Sequence, residues 1–463
     1  MLTLGCSFGE LHFGSVDLGD QRRNARLVQL VNTMVKHPGG TLPDKVNKPA
    51  DLKALYRLMD CPAVTHAAVL APHRHYTWQR MREQTGVVLV IHDTTELDYS
   101  GLSIAGLGQL GEGHGHGYKC HNSLAVVAES REVLGLANQI LFNRPHVPKD
   151  EKKSERLRRA NRESRLWTQG SEAIPAAPAG CQWIDVCDRA ADITEFLDFE
   201  RTHAKDYVVR SLHNRLVVLE NEGVQSRAKL HDWARTLPAQ GERRVEVGAK
   251  LKQPSRTANV AVAWAPVCIR PPRQPRGSHG QELLPIWLVR AWEIDPPAGM
   301  EPLEWILLTN VPVQTLAEAF ERVNWYGLRW IVEEYHKAMK TGCQVEDMQF
   351  TTEARLQPAI ALVSVTAIFL LNLRDASRRE DAATRPASAV IPLAFVEMLS
   401  LWRHKAVRPT WTVHEFFMAL ARLGGHQNRK NDHSPGWLIL WRGWTKLQLM
   451  VEAASLRVQE RCG

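Results

Sequence analysis

The sequence predicts an α/β protein whose core is interrupted by a β-rich insertion and flanked by helical segments at both ends. Two runs rich in apolar and β-branched residues, VVLVIH before Asp93 and CQWIDVC before Asp188, read as strands buried on both faces, each ending on a carboxylate. Residues 201–300 break into short β-like runs separated by polar turns. Before residue 86 and beyond residue 350, apolar residues return at helical spacing.

The elements follow in order. LGDQRRNARLVQLVNTMVKH places Asp20 at a helix start and Arg22, Arg23 and Arg26 on the charged side. ADLKALYRLMD gives a second amphipathic helix exposing Lys53 and Arg57. From Gly86 the chain turns to strand, and GVVLVIH is expected to end at Asp93. SLAVVAES and EVLGLANQILF form a hairpin about the turn at Glu129–Arg131, and KDEKKSERLRRANRESRLW follows as an exposed charged helix. CQWIDVCDRAADITEFL is a strand running into a helix at Asp188. EWILLTN is one more strand, and a helix from Leu316 leads into WYGLRWIVEEYHKAMK. The divisions expected are therefore 1–85, 86–200, 201–300, 301–350 and 351–463.

The chain has 463 residues, 44% of them apolar and 23% charged, enough for several domains and a buried catalytic centre. Its net charge of +8 leans toward a polyanionic partner. Eight cysteines show no C-x-x-C pairing and no leader precedes them, so a reduced, cytoplasmic setting is expected. The longest apolar run, Pro358 to Leu373, is shorter than the roughly 20 residues of a membrane span and reads as a buried helix.

The chemistry is concentrated in WYGLRWIVEEYHKAMK. On one continuous helix, with about 3.6 residues per turn, Tyr326, Arg329, Glu333 and Lys340 fall within a band of about 60°. Leu328, Val332, Tyr335 and Met339 gather opposite. Such a stripe more often faces solvent, but Asp93 and Asp188 add two carboxylates from separate strands. Three hard oxygen donors suit a pair of Mg²⁺ ions, which can activate a hydroxyl nucleophile and stabilise a leaving oxygen at phosphorus. Asp185 stands an odd number of residues from Asp188 and so points to the other face of its strand; Asp188, at the strand's C-terminal end, is the better candidate. The cluster GHGHGYKCH, with His114, His116, Cys120 and His121, lacks regular zinc-site spacing and reads as a flexible loop.

On these residues the chain resembles the DDE transposases of the insertion-sequence-four group. Tyr326, Arg329, Glu333 and Lys340 meet that group's Tyr-Arg-Glu-Lys signature, while VIHDTTELDYS and VCDRAADI resemble the segments bearing its first two catalytic aspartates. LGDQRRNARL and ARLGGHQNRKNDHSPGWLILWRGW resemble the two ends of such proteins. The resemblance implies a ribonuclease-H-like core (86–200 and 301–350) holding Asp93, Asp188 and Glu333 as catalytic metal ligands, with Mg²⁺ as cofactor and Mn²⁺ as a substitute. It implies base stacking by Trp305 and Trp330, and phosphate contacts by Tyr326, Arg329, Lys337, Lys340 and Arg210. Residues 1–85 would bind DNA ends through Arg22, Arg23, Arg26 and Arg57, and residues 351–463 would pair two copies in a synaptic homodimer. One departure is that Ala190 stands where the group often has glutamate. The activity implied is cut-and-paste transposition of double-stranded DNA through a hairpin, in a bacterial cytoplasm and with no membrane partner. A metal-dependent nuclease or resolvase, or an inactive DNA-binding regulator, would use the same residues differently.

Overall fold

The structure, a computed structural model, describes residues 7–462 apart from positions 38, 47, 112, 146–154, 156–158, 160, 222–223, 248–255, 273–278, 409 and 430–433. It opens with five helices, α1 (Phe8–Phe13), α2 (Gln21–Lys36), α3 (Leu42–Val46), α4 (Pro49–Met59) and α5 (His66–Arg82). The side chain of Asp20 accepts a hydrogen bond from the Arg22 N–H, satisfying one of the free donors at the start of α2. The apolar side of α2, from Leu27 to Val35, is buried.

Among the described residues the strands form one twelve-stranded sheet. In chain order they are β1 (Val87–Asp98), β2 (Gly108–Leu110), β3 (Gly115–Val127), β4 (Val133–Phe142), β5 (Gln182–Cys187), β6 (Asp206–Arg210), β7 (Leu216–Asn221), β8 (Val224–Lys229), β9 (Gly241–Val247), β10 (Arg256–Ile269), β11 (Leu284–Ile294) and β12 (Glu304–Thr309). The spatial order is β2-β3-β1-β5-β6-β12-β11-β10-β7-β8, with β4 on β3 and β9 on β10. Among the described strands only the β1–β5 and β5–β6 pairs are parallel. Three short helices, α6 (Leu166–Glu172), α7 (Thr194–Thr202) and α8 (Leu230–Thr236), lie between strands.

Four expectations are corrected here. β1 does not end at Asp93, because β3 continues to pair with it from Asp93↔Asn122 to Asp98↔Gly117. The run GHGHGYKCH is no flexible loop: from Gly115 it is strand β3, with Cys120 and His121 fully buried. β6, placed by sequence in the insertion, stands in the middle of the sheet between β5 and β12. The strands of the insertion continue that same sheet rather than forming a separate body. The charged segment 149–167 falls mostly outside the described residues; its end forms a short 3₁₀ turn at Glu163–Arg165 and the start of α6.

Alternation along the strands gives the sheet two faces. One carries Leu89, Ile91, Val186, Val208, Leu307, Val289 and Val262 into the main core. The other carries Cys187, Val209, Leu308, Leu288 and Val217 into a second cluster with α7 and α8. The helices α9 (Leu316–Gly327) and α10 (Trp330–Lys337) pack on the first face. The C-terminal part is helical: α11 (Glu353–Arg378), α12 (Leu393–His404), α13 (Val413–Leu423) and α14 (Trp437–Cys462). α11 contains the longest apolar run, and 89% of its most hydrophobic window is buried in the protein, which makes it a core helix.

Candidate active site

The strand pairing itself opens the site. β5 accompanies β1 only as far as His92↔Cys187, and the chain then turns away at Asp188. There the Asp188 carboxylate accepts the Ala190 N–H at 2.8 Å and caps a 3₁₀ turn over Arg189–Ala191. Asp93, the next residue of β1, is left beside the gap. Asp93 and Asp188 lie on the same face of the sheet, at the C-terminal side of two parallel strands, where open α/β sheets leave a crevice.

Glu333 and Arg329 arrive from above on the helical segment. Arg329 Nη1 donates to Asp93 Oδ2 at 3.0 Å, and its Nη2 pairs with Glu333 Oε1. One guanidinium thus joins two of the three expected carboxylates. Asp93 also accepts the Thr94 N–H at 2.8 Å. Burial pushes the Asp93 carboxyl up to about 6; Arg329 opposes the rise, and the charges of Asp188 and Glu333 add to it. Asp188 and Glu333 are thus both near enough to Asp93 for their charge to be felt there.

Beside them stands an aromatic and cationic wall. Tyr326 is buried, which raises its hydroxyl's pKa, while Arg329 and Arg210 pull it back down. The Trp305 ring meets the Tyr326 ring edge-on, with centroids 5.0 Å apart. Arg210 Nη2 donates to the Glu304 carbonyl at 3.1 Å, which fixes it next to Trp305 at the end of β6. Arg210, Tyr326, Trp305, Arg329, Asp93 and Glu333 are thus contiguous.

The single polar stripe needs correction. The helix breaks between α9 and α10, where Arg329, Ile331 and Val332 each donate to the carbonyl three residues back, and it widens into a π turn at Ala338–Gly342. Tightening followed by loosening redistributes the side chains. Lys340 pairs with Glu346 at 2.9 Å, not with Glu333. Lys337 is exposed. Trp330 is not beside the carboxylates: it lines a cavity of about 720 Å³ with the Arg374 guanidinium 5.6 Å from its ring centre. The apolar back of the stripe, Leu328, Val332, Tyr335 and Met339, is buried throughout.

The N-terminal arginines have internal partners as well. Arg22 pairs with Asp20 at 3.1 Å, Arg23 donates to the Leu18 carbonyl at 3.1 Å, and Arg26 reaches Asp51 of α4 at 3.0 Å. Arg57 is exposed.

Among the described residues no three His, Cys, Asp or Glu side chains stand close enough to hold a metal ion. The donor chemistry of Asp93, Asp188 and Glu333 nevertheless suits a hard divalent cation. Like charge at Asp188 and Glu333 raises the pKa of Asp93, as expected where carboxylates crowd with too little positive charge. Arg329 lies between Asp93 and Glu333 and supplies part of that charge. In GHGHGYKCH, Cys120 and His121 alternate to opposite faces of β3 and share no ligand site.

One buried network was missed by sequence reading. On the face away from Asp93, His92 Nε2 lies 3.2 Å from Asp185 Oδ1, and its Nδ1 is 3.0 Å from the Ser123 hydroxyl. Ser171 donates to Asp185 at 2.6 Å. Burial alone would raise Asp185, but His92 and these hydrogen bonds hold its carboxyl below the ordinary range. The parity separating Asp185 from Asp188 is as expected; the adjacent pair His92–Asp93 was the signal for a second polar set on the opposite face. Asp192 is likewise structural: it accepts from the N–H groups of Leu212 and His213 and from Arg215, anchoring the loop after β6.

Residues 6–64 match the family model described as transposase DNA-binding. Among solved structures, the chain has a remote likeness to a cryo-EM structure of the piggyBac transposase synaptic complex with hairpin DNA. The sequence identity is 10%, the TM-score 0.33, and the match covers 77% of this chain and 67% of that one, too distant to bear on function. The N-terminal match supports a transposase that binds DNA.

Proposed function

We propose that the chain is a cut-and-paste DNA transposase of the DDE type within the insertion-sequence-four group, resembling most closely the transposase of transposon five. The observation that carries this reading is that Arg329 joins Asp93 to Glu333, with Asp188 on the same sheet face and near enough for its charge to act on Asp93. The antiparallel strands β4, β3 and β1, continued by the parallel β5 and β6, support a ribonuclease-H-like core around it.

In this reading Asp93, Asp188 and Glu333 would hold Mg²⁺, or Mn²⁺ in its place, which when bound supplies Lewis-acid activation of a hydroxyl and stabilisation of the leaving oxygen. The residues around it have separable tasks. Arg329 offsets the charge of Asp93 and Glu333 in the resting protein and is placed to pass to a DNA phosphate. Arg210 and the Tyr326 hydroxyl grip the same backbone. Trp305, half-buried and braced edge-on by Tyr326, offers a flat surface for a base turned out of the duplex. Lys337 and Lys340 would meet phosphates further along, and Trp330 would contribute a second stacking surface. Each chemical step is an in-line exchange at a phosphodiester: one strand is cut, the freed 3′-hydroxyl attacks the opposite strand to close a hairpin, the hairpin reopens, and the 3′-hydroxyl joins target DNA.

The N-terminal helices would read the transposon ends through cations including the exposed Arg22 and Arg57 and the half-buried Arg23 and Arg26. The C-terminal helices leave Leu393, Leu401 and Leu449 exposed, which supports a homodimer interface there in the synaptic complex. The setting would be the bacterial cytoplasm, at the nucleoid. Incubating the protein and Mg²⁺ with a duplex bearing the element's terminal repeats and a supercoiled plasmid tests the reading. Covalent joining of the duplex ends to plasmid is the expected product. Broken ends without joining would replace the transposase with a nuclease.

A further inference from the structure

The sheet carries a second cationic surface far from the carboxylates. In the β7–β8 hairpin, Val218 faces Arg227, Leu216 faces Lys229 and Glu220 faces Gln225. β10 continues the row, with Cys268 opposite Val218. Alternation then puts Arg227, Lys229, Gln225 and Arg270 on one face, while Val217, Ala228 and Ile269 turn into the core cluster on the other. Gln225, Arg227, Arg270 and Gln281 line a concavity of about 450 Å³. Among the described residues Arg227, Lys229 and Arg270 have no ion-pair partner, unlike Arg201, Arg235, Arg256 and Arg290 nearby. The carboxylate sharing this face, Glu220, sits at the end of the hairpin away from Arg270.

Register fixes which face this is. Trp305 pairs with Ala291, Pro266 with Trp287, and Cys268 with Val218, so the cations belong to the same face of the twisted sheet as Trp305, Asp93 and Asp188. Six strand spacings separate β5 from β8, about 29 Å along the sheet at roughly 4.8 Å each. Three unpaired cations flanked by two amides match a phosphate backbone: guanidinium forks take phosphate oxygens, and the amides add neutral donors.

We propose that Arg227, Lys229 and Arg270, with Gln225 and Gln281, form a second phosphate-binding surface that holds duplex DNA by its backbone at the edge of the sheet away from the carboxylate cleft. This rests on the reading of the chain as a DNA-processing protein, but not on its chemistry. The surface reads no sequence, because phosphates carry none. Its contribution appears as affinity and as salt dependence.

The test is fluorescence anisotropy of the full chain with a random-sequence duplex of about 40 base pairs, across a salt titration without divalent metal. The Arg227→Glu/Arg270→Glu variant is expected to bind about tenfold more weakly, with a log–log salt slope shallower by about two. Arg227→Lys/Arg270→Lys, which keeps the charge, should hold the wild-type slope. Unchanged affinity and slope in the Glu variant, with an unchanged melting temperature, would overturn the proposal; so would equal weakening by the Lys variant. If the wild type binds duplex this way yet fails to cleave or join ends, the functional reading fails and the surface stands. If it cleaves and joins while the Glu variant binds like wild type, the reverse holds.

Discussion

At the scale of residues, Arg329 and Asp93 form the hinge of the account. Asp93 is held at about 6 by burial and by two neighbouring carboxylates, with Arg329 as the main opposing charge. Removing that guanidinium by Arg329→Gln leaves burial and the neighbouring carboxylates to favour the protonated form. The Asp93 midpoint, followed by carboxyl carbon NMR in metal-free protein, should therefore move above its wild-type value. An unmoved midpoint would mean that the 3.0 Å contact does not persist in solution. These partners could not be read from a helical wheel. The wheel assumes one uninterrupted α-helix, whereas the chain tightens at Leu328–Arg329 and loosens at Ala338–Gly342, aiming Arg329 at Asp93 and taking Lys340 to Glu346.

Elements show where local sequence was enough and where long-range pairing decided. α2 and α4 were legible because caps and periodicity are local signals. The extension of β1 past Asp93 was not, because a partner strand distant in sequence, from Gly117 to Asn122, supplies its hydrogen bonds. Nor was the central place of β6, which depends on β12, a strand nearly 100 residues later. The crossing of α13 and α14 is a tertiary feature of the same kind. A Cβ on Gly443 would meet the Leu420 carbonyl oxygen at 2.0 Å, and one on Gly424 the Ile439 carbonyl oxygen at 2.0 Å. The two backbones touch through their glycines. Gly443→Ala should therefore lose stability by about 1–3 kcal/mol in thermal unfolding, although alanine favours an isolated helix. A neutral or stabilising result would contradict this packing.

The joint between α1 and the core is also sensitive to pH. His12 Nδ1 and His73 Nδ1 are 2.9 Å apart in the interior, and His73 Nε2 accepts the Leu136 N–H at 3.0 Å. His73 must stay neutral to accept that bond. Burial, with Arg80 adding to it, pulls His73 down to about 3, and burial with His73 nearby pulls His12 well below its usual value. In the unfolded chain both titrate near 6.5. The unfolded state therefore binds more protons between about 6.5 and 3; the stability is present above 6.5 and is lost as pH falls through that window. For His73 the slope is about 1.4 kcal/mol per pH unit, and His12 adds in the same direction. Urea midpoints at pH 7 and pH 5 should differ accordingly, and the difference should shrink in His73→Gln. Midpoints that do not differ between pH 7 and pH 5, or a difference that His73→Gln leaves unchanged, would contradict this joint.

On the scale of the whole molecule, a single sheet sets the geometry. Its middle brings Asp93, Asp188 and Arg210 to one face, α9 and α10 lay Tyr326, Arg329 and Glu333 over them, and the same face runs on through Trp305 to the edge cations. The sequence disclosed the strands and the carboxylates; it could not disclose that insertion and core share one hydrogen-bonded sheet, because strand order is a property of distant partners. The central claim is that Asp93, Asp188 and Glu333 form one working site. Its most direct test is Mg²⁺-dependent cleavage of a labelled terminal-repeat duplex by Asp93→Asn, Asp188→Asn and Glu333→Gln, with binding to the same duplex measured in parallel. Each variant should lose cleavage by at least about a thousandfold, on the order expected when a ligand of the reacting metal is lost, and keep its binding within a few-fold. Cleavage that persists in any one of them at near wild-type rate would contradict the account.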